Sequence, residues 1–150
     1  MIPRKSFWVA LVGAGLLLSW AGQVNADVRL PGVFSDHMVL QQDLRLPVWG
    51  WADEGERVTV TFRGRSVSTT AQDGAWMVRL PRQKAGGPFI LVVQGRNRVE
   101  FKDVLVGEVW ICSGQSNMEW PMNRSFEPES DIASSANPNL RLLTVPKLKS

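Results

Sequence analysis

Along residues 57–62, Arg-Val-Thr-Val-Thr-Phe, apolar and polar positions alternate strictly. Val58, Val60 and Phe62 therefore share one face of an extended chain and Thr59 and Thr61 the other, as a half-buried strand requires. Short runs of similar character recur over 65–71, 76–80, 89–94 and 98–105, and over 46–51 with Pro47 near the start. Proline offers no N–H to a ladder, so the 46–51 strand is expected at an edge or a strand start. Gln72-Asp73-Gly74-Ala75 stands between two of these runs, and Asp-Gly favours a tight hairpin turn because both central residues need positive φ. Gly95-Arg96-Asn97 separates another pair at hairpin length. Strands this short, punctuated this often, predict an all-β sandwich module over 27–106.

The pattern changes at Gly107. Val109-Trp110-Ile111-Cys112 is apolar on successive positions, as expected of a strand buried on both faces of a parallel sheet. A polar turn, Ser113-Gly114-Gln115-Ser116-Asn117-Met118, follows it. Residues 129–136 read as a short helix stopped by Asn137-Pro138, and 140–145 as another strand. Strand, turn, helix and strand form the opening of an α/β domain. Residues 107–150 are too few to close a sheet covered on both faces, so the truncated start of such a domain is expected there.

Ahead of the module, Arg4 and Lys5 precede an apolar stretch of about 14 residues, 7–20, and Val24-Asn25-Ala26 offers small residues at a cleavage position. The stretch falls short of the ~20 residues that span a bilayer. Residues 1–26 therefore read as an export signal cleaved before Asp27. The mature chain is expected in the periplasm or outside the cell, free of the membrane.

Composition narrows the function classes. The chain of 150 residues is 44% hydrophobic and 21% charged, ordinary for a globular protein. Its formal charge of +3 includes Arg4 and Lys5, and the other basic residues are scattered. No basic stripe suited to nucleic acid is present. Cys112 is the only cysteine, so no internal disulfide can form, and its apolar neighbours mark it as a small buried hydrophobe. Asp36, Asp53 and Glu54 have no His, Cys or carboxylate partners at a metal-ligand spacing and read as solvated turn residues. No metal and no cofactor is expected.

Ser116 is the residue whose position matches a chemistry. A serine hydroxyl becomes a nucleophile when a base takes its proton and N–H donors receive the developing oxyanion. A sharp turn after a buried strand exposes both groups, and Gly114 permits the strained backbone and close substrate approach that such a turn needs. Ser113, still at the strand end, is the rival. On spacing alone, a turn serine bonded to its own backbone explains the pattern as well, because Met118 replaces the second Gly of a G-x-S-x-G elbow.

Longer motifs carry further information. Ile111-Cys112-Ser113-Gly114-Gln115-Ser116-Asn117-Met118 resembles the nucleophile block of the sialate O-acetylesterase family of SGNH hydrolases. Phe34-Ser35-Asp36-His37-Met38-Val39-Leu40-Gln41, Pro47-Val48-Trp49-Gly50-Trp51-Ala52 and Val106-Gly107-Glu108-Val109-Trp110 resemble that family's leading β-domain and its junction with the catalytic domain. The resemblance implies a flavodoxin-like SGNH catalytic domain and removal of acetyl groups from sugar hydroxyls, with an O-acetylated sialic acid or polysaccharide as partner. It implies Ser116 as nucleophile, with its backbone N–H an oxyanion donor. By position around that turn, Gln115, Asn117 and Trp120 are the candidate substrate-binding residues, Asn117 in a supporting, shape-fixing role and Trp120 lining the pocket. The family draws its catalytic His and Asp from a segment later than Ser150. His37, the only histidine, matches the β-domain motif instead and is expected to be structural.

Most of Trp49, Trp51, Trp76, Trp110 and Trp120 are expected to fill the core and the domain junction. Asn123-Arg124-Ser125 is a glycosylation sequon if the chain passes through a eukaryotic secretory route. An acetyl-xylan-type esterase and a non-catalytic secreted glycan-binding or structural module are the competing functions.

Overall fold

The computed structural model describes residues 27–145; the export signal expected over 1–26 lies outside them. The described residues are mostly strand: β1 (Val39–Gln41), β2 (Leu46–Trp51), β3 (Arg57–Phe62), β4 (Arg65–Thr70), β5 (Ala75–Leu80), β6 (Gly86–Gln94) and β7 (Arg98–Gly107). One helix, α1 (Pro128–Ser134), and two 3-10 turns come after them. Among the described residues no helix is long and apolar enough to cross a membrane.

Five strands form one sheet in the order β1-β7-β6-β3-β4, and β2 pairs with β5 in a second. The alternation in β3 sets the layer between them. Val58, Val60 and Phe62 point inward with Leu91 and Val93 of β6 and Val104 and Val106 of β7. Leu46 and Val48 of β2 and Trp76, Val78 and Leu80 of β5 belong to the same core cluster. On the opposite side of β3, Thr59 bonds Ser68 and Thr61 bonds Ser66 through their hydroxyls at 2.9 and 2.8 Å. Apolar burial is worth about 25 cal/mol per Å², so the face carrying valine goes in and the face carrying threonine stays at the surface.

The 89–94 and 98–105 runs pair as expected, Gln94 opposite Arg98 across a three-residue loop. The Asp73-Gly74 turn also forms, with φ of 51° and 74° and with Gln72 and Ala75 bonded to each other through both backbones. Its flanking strands do not make the expected hairpin, however. β4 stays on β3, while β5 crosses to β2. The reason is β5's own pattern, since Trp76, Val78 and Leu80 need a core to face and find it on the second layer. The turn thus serves as a corner between sheets. Pro47 sits on β2, whose only strand neighbour is β5, at an edge as expected, and Trp51 at the strand's far end also bridges Arg29.

The segment after β7 departs most from expectation. Residues 108–112 and 140–145 form no strand, and Val109, Ile111, Leu142 and Leu143 are exposed. A strand meets its backbone hydrogen-bonding needs only through a neighbour, and neither segment has a strand neighbour among the described residues. Cys112 is exposed for the same reason, contrary to the buried position expected of it. The short helix does form, as Pro128–Ser134, with Pro128 in its first turn and no buried residue. Of the tryptophans expected to fill the core, Trp76 is buried in it and the half-buried Trp49 packs against it, while Trp51, Trp110 and Trp120 are exposed.

Candidate active site

The chain leaves the last strand of the core at Gly107 and is gripped at once. Gln42 N donates to the Gly107 carbonyl at 2.8 Å, and Val109 N donates to Gln41 Oε1 at 2.8 Å. Glu108 accepts from Gln41 Nε2 at 3.0 Å through one carboxylate oxygen and from Gln42 Nε2 through the other. The hydrogen bonds from Gln41, and then those from Gln42, hold the Glu108 carboxyl below its ordinary range. Gln41 at the end of the edge strand and Gln42 just after it thereby fix the direction in which the chain departs toward Ser116.

Beyond the clamp the chain is open until Gly114, whose φ of 155° lies in the region that favours glycine. A β-carbon there would press on the Met118 side chain at 2.7 Å. Ser116–Glu119 then winds into a single 3-10 turn, closed by Met118 N donating to the Gln115 carbonyl at 2.9 Å. Residues opening such a turn have no intrahelical acceptor for their N–H groups. Ser116 presents its N–H and its hydroxyl together, and it is exposed. Gln115 supplies the turn's first carbonyl, and Asn117 the carbonyl that Trp120 N meets at 3.4 Å. The Trp120 indole N–H donates to the Arg124 carbonyl at 2.9 Å, joining this turn to the next one, Met122–Arg124. All four residues singled out in the sequence therefore occupy one surface loop, with Trp120 61% exposed.

His37 is elsewhere engaged. Its Nδ1–H donates to Asp103 Oδ2 at 2.6 Å, and its backbone N–H donates to the Lys102 carbonyl at 3.0 Å. The preceding residue continues this attachment, since Asp36 Oδ1 accepts from Lys102 N at 2.7 Å. Arg141 reaches back from the final segment to the same Asp103 oxygen at 2.7 Å. The His37 hydrogen bond, with the Arg141 charge behind it, holds the Asp103 carboxyl below its usual range. His37 therefore braces the start of β1, as expected, and forms no hydrogen bond with Ser116. Asp53, read as a solvated turn residue, pairs with Arg96.

Sequence reasoning singled out neither the Gln41–Gln42–Glu108 clamp nor the Asp103–Arg141 tie. Gln41 and Glu108 do lie inside two of the quoted motifs, but they stand 67 positions apart. Only the parallel pairing of β1 with β7, Gln41 opposite Gly107, brings them together.

No protein-family model matches the chain. Curated relatives do. The chain is 34% identical to a sialate O-acetylesterase of Pongo abelii and 33% identical to that of Homo sapiens, each alignment covering 86% of this chain and 28% of the relative. A sialate O-acetylesterase of Mus musculus is 32% identical over 81% of this chain. The crystal structure of a carbohydrate acetylesterase from Xanthomonas citri superposes with a TM-score of 0.71 at 40% identity, covering 74% of this chain and 26% of that one. The chain spans little more than a quarter of the length of these proteins. The identity is maintained along most of the chain's own residues, and it supports the sialate O-acetylesterase family as the one this chain is similar to.

Proposed function

We infer that this chain is the nucleophile-bearing part of an exported carbohydrate O-acetylesterase, with Ser116 as the attacking residue. The observation that carries the reading is Ser116 itself: an exposed residue whose backbone N–H makes no hydrogen bond among the described residues, on a loop anchored by the Glu108 clamp, in a chain whose relatives are named as sugar acetylesterases. Ser116 Oγ attacks the acetyl carbonyl carbon while a histidine takes its proton, and the Ser116 N–H is one donor to the oxyanion. Collapse of that intermediate breaks the ester C–O bond, and the histidine returns the proton to the departing sugar oxygen. Water then adds to the acetyl-serine, releasing acetate and restoring the hydroxyl.

His37 does not fit the role of that base, because Asp103 holds it on the β-module. The base comes instead from a part of the protein outside these 150 residues. The same part completes the sheet: residues 108–112 and 140–145 become parallel strands when neighbours are present, and the Ser116 loop then stands at the strand's carboxyl end, where open α/β sheets bind their ligands. Gln115, Asn117 and Trp120 line the approach of the acetylated sugar.

Ser116→Ala in the intact protein tests this. Hydrolysis of p-nitrophenyl acetate and of O-acetylated sugar should fall by about 10³-fold or more, and a fluorophosphonate probe should label the parent but not the variant. Turnover that survives the substitution overturns the reading. Parallel assays on O-acetylated sialic acid and on acetyl-xylan separate the two substrate classes.

A further inference from the structure

The second sheet turns outward an aromatic face that the core uses only at Trp49. β2 buries Leu46, Val48 and Gly50 and directs Pro47, Trp49 and Trp51 outward; β5 buries Trp76, Val78 and Leu80 and directs Ala75, Met77 and Arg79 outward. Register places Trp49 opposite Met77 and Trp51 opposite Ala75. Trp49 packs edge-on against Phe34, with ring centroids 4.8 Å apart, and is half-buried. Trp51 is different: it is 46% exposed, and the alanine methyl across the ladder is too small to cover its ring. The Trp76 indole N–H is spent on the Trp51 carbonyl at 3.3 Å, whereas that of Trp51 makes no hydrogen bond among the described residues.

Trp51, Ala75 and Met77 line an open cleft of about 450 Å³ together with Thr70, Gln72 and Asp73. The Asp73-Gly74 corner, which separates β4 from β5, is what brings these polar side chains alongside the exposed indole.

A pyranose ring offers a flat face of C–H bonds and a rim of hydroxyls. An exposed indole stacks on the first, and hydroxyl, amide and carboxylate groups hydrogen-bond the second. The residues lining the cleft supply all of these and include no Lys, Arg or His. A sugar carboxylate entering the lining would meet Asp73, while Arg29 and Arg79 stand on the same face outside it. We propose that this cleft binds neutral pyranose units of a glycan, with Trp51 as the stacking platform and Gln72 and Asp73 as hydroxyl partners. None of its lining residues belongs to the Ser116 loop, so it holds polymer apart from the ester chemistry. The choice of a sugar as ligand rests on the carbohydrate-esterase reading; the shape and charge of the cleft do not.

The test is affinity electrophoresis of the intact protein through gels containing xylan, xyloglucan or sialylated mucin. The neutral polysaccharides should retard the parent, and Trp51→Ala should weaken that retardation about tenfold, the size of one stacking contact. Trp51→Phe should restore most of it. Hydrolysis of p-nitrophenyl acetate should be the same in all three proteins, which also reports that the variants are folded. Retardation that does not depend on Trp51, or that depends on it only with mucin, overturns the inference. So does protection of Trp51 from N-bromosuccinimide in the intact protein, which would mean that protein covers this face. Binding of xylan through Trp51 in a protein whose ester turnover survives Ser116→Ala would keep this inference and remove Ser116 as the nucleophile.

Discussion

Leu91, Val93 and Val104 show none of their surface to water, whereas Phe126, Leu142 and Ile111 show 86%, 89% and 92% of theirs. Both sets are large apolar side chains in one chain. In the strand-rich region every strand finds a partner, and the alternating apolar positions converge on one core. In the segment after Gly107 the apolar residues are just as dense, yet neither 108–112 nor 140–145 gains a neighbouring strand. The contrast teaches that hydrophobicity drives burial only when the backbone's hydrogen bonds can be satisfied at the same time. What binds the open segment to the core is polar: the Glu108 clamp at one end and the Arg141–Asp103 pair near the other.

Core truncation should expose the contrast most strongly. Leu91→Ala is expected to destabilise the purified chain by about 2–5 kcal/mol through lost transfer energy and a cavity, while Ile111→Ala should change stability by less than about 0.5 kcal/mol. Chemical denaturation of both variants reads the difference directly. A comparable loss from Ile111→Ala would show that the open segment is packed after all.

Gly50 gives a somewhat smaller effect. A β-carbon there would collide with the Arg29 carbonyl and lie 3.1 Å from the Trp76 ring. Gly50→Ala should cost about 1–3 kcal/mol and detach residue 29 from its bridge with Trp51, seen as faster amide exchange at Arg29.

Acid should act most weakly, and at the clamp. The Glu108 carboxyl titrates below its ordinary value in the folded protein, so its contribution is fully in place above the unfolded carboxyl pKa of about 4.3. That contribution is lost as pH falls through the lowered folded value. In an NMR titration the side-chain amides of Gln41 and Gln42 should shift with a midpoint below the ordinary Glu range. Glu108→Gln should abolish the shift while leaving the core strands unchanged. A normal midpoint would mean that the glutamines do not grip this carboxylate.

How far the sequence could be read follows the same division. The β3 alternation, the loop at Gly95-Arg96-Asn97 and the Asp73-Gly74 turn are local patterns, and each appears where its residues place it. The Ser116 loop was legible as a motif and does form a turn. The strand expected before it was not realised, because a strand on both sides of which nothing pairs has no local means of existing. The error over β4 and β5 has a related origin: a two-residue turn fixes the direction of the chain for four residues and leaves open which sheet the next strand joins.

The order of residues by itself determined which positions are apolar, where the chain turns, where Gly114 frees the backbone, and which hydroxyl stands on a loop. Tertiary structure alone decided that β5 joins β2, that Gln41 meets Glu108, that His37 is tied to Asp103, and that Trp51 faces an open cleft. The physical reason is range. Backbone preferences and side-chain period act over a few residues, whereas pairings across 66 or 67 positions exist only after the sheets have closed on their common core.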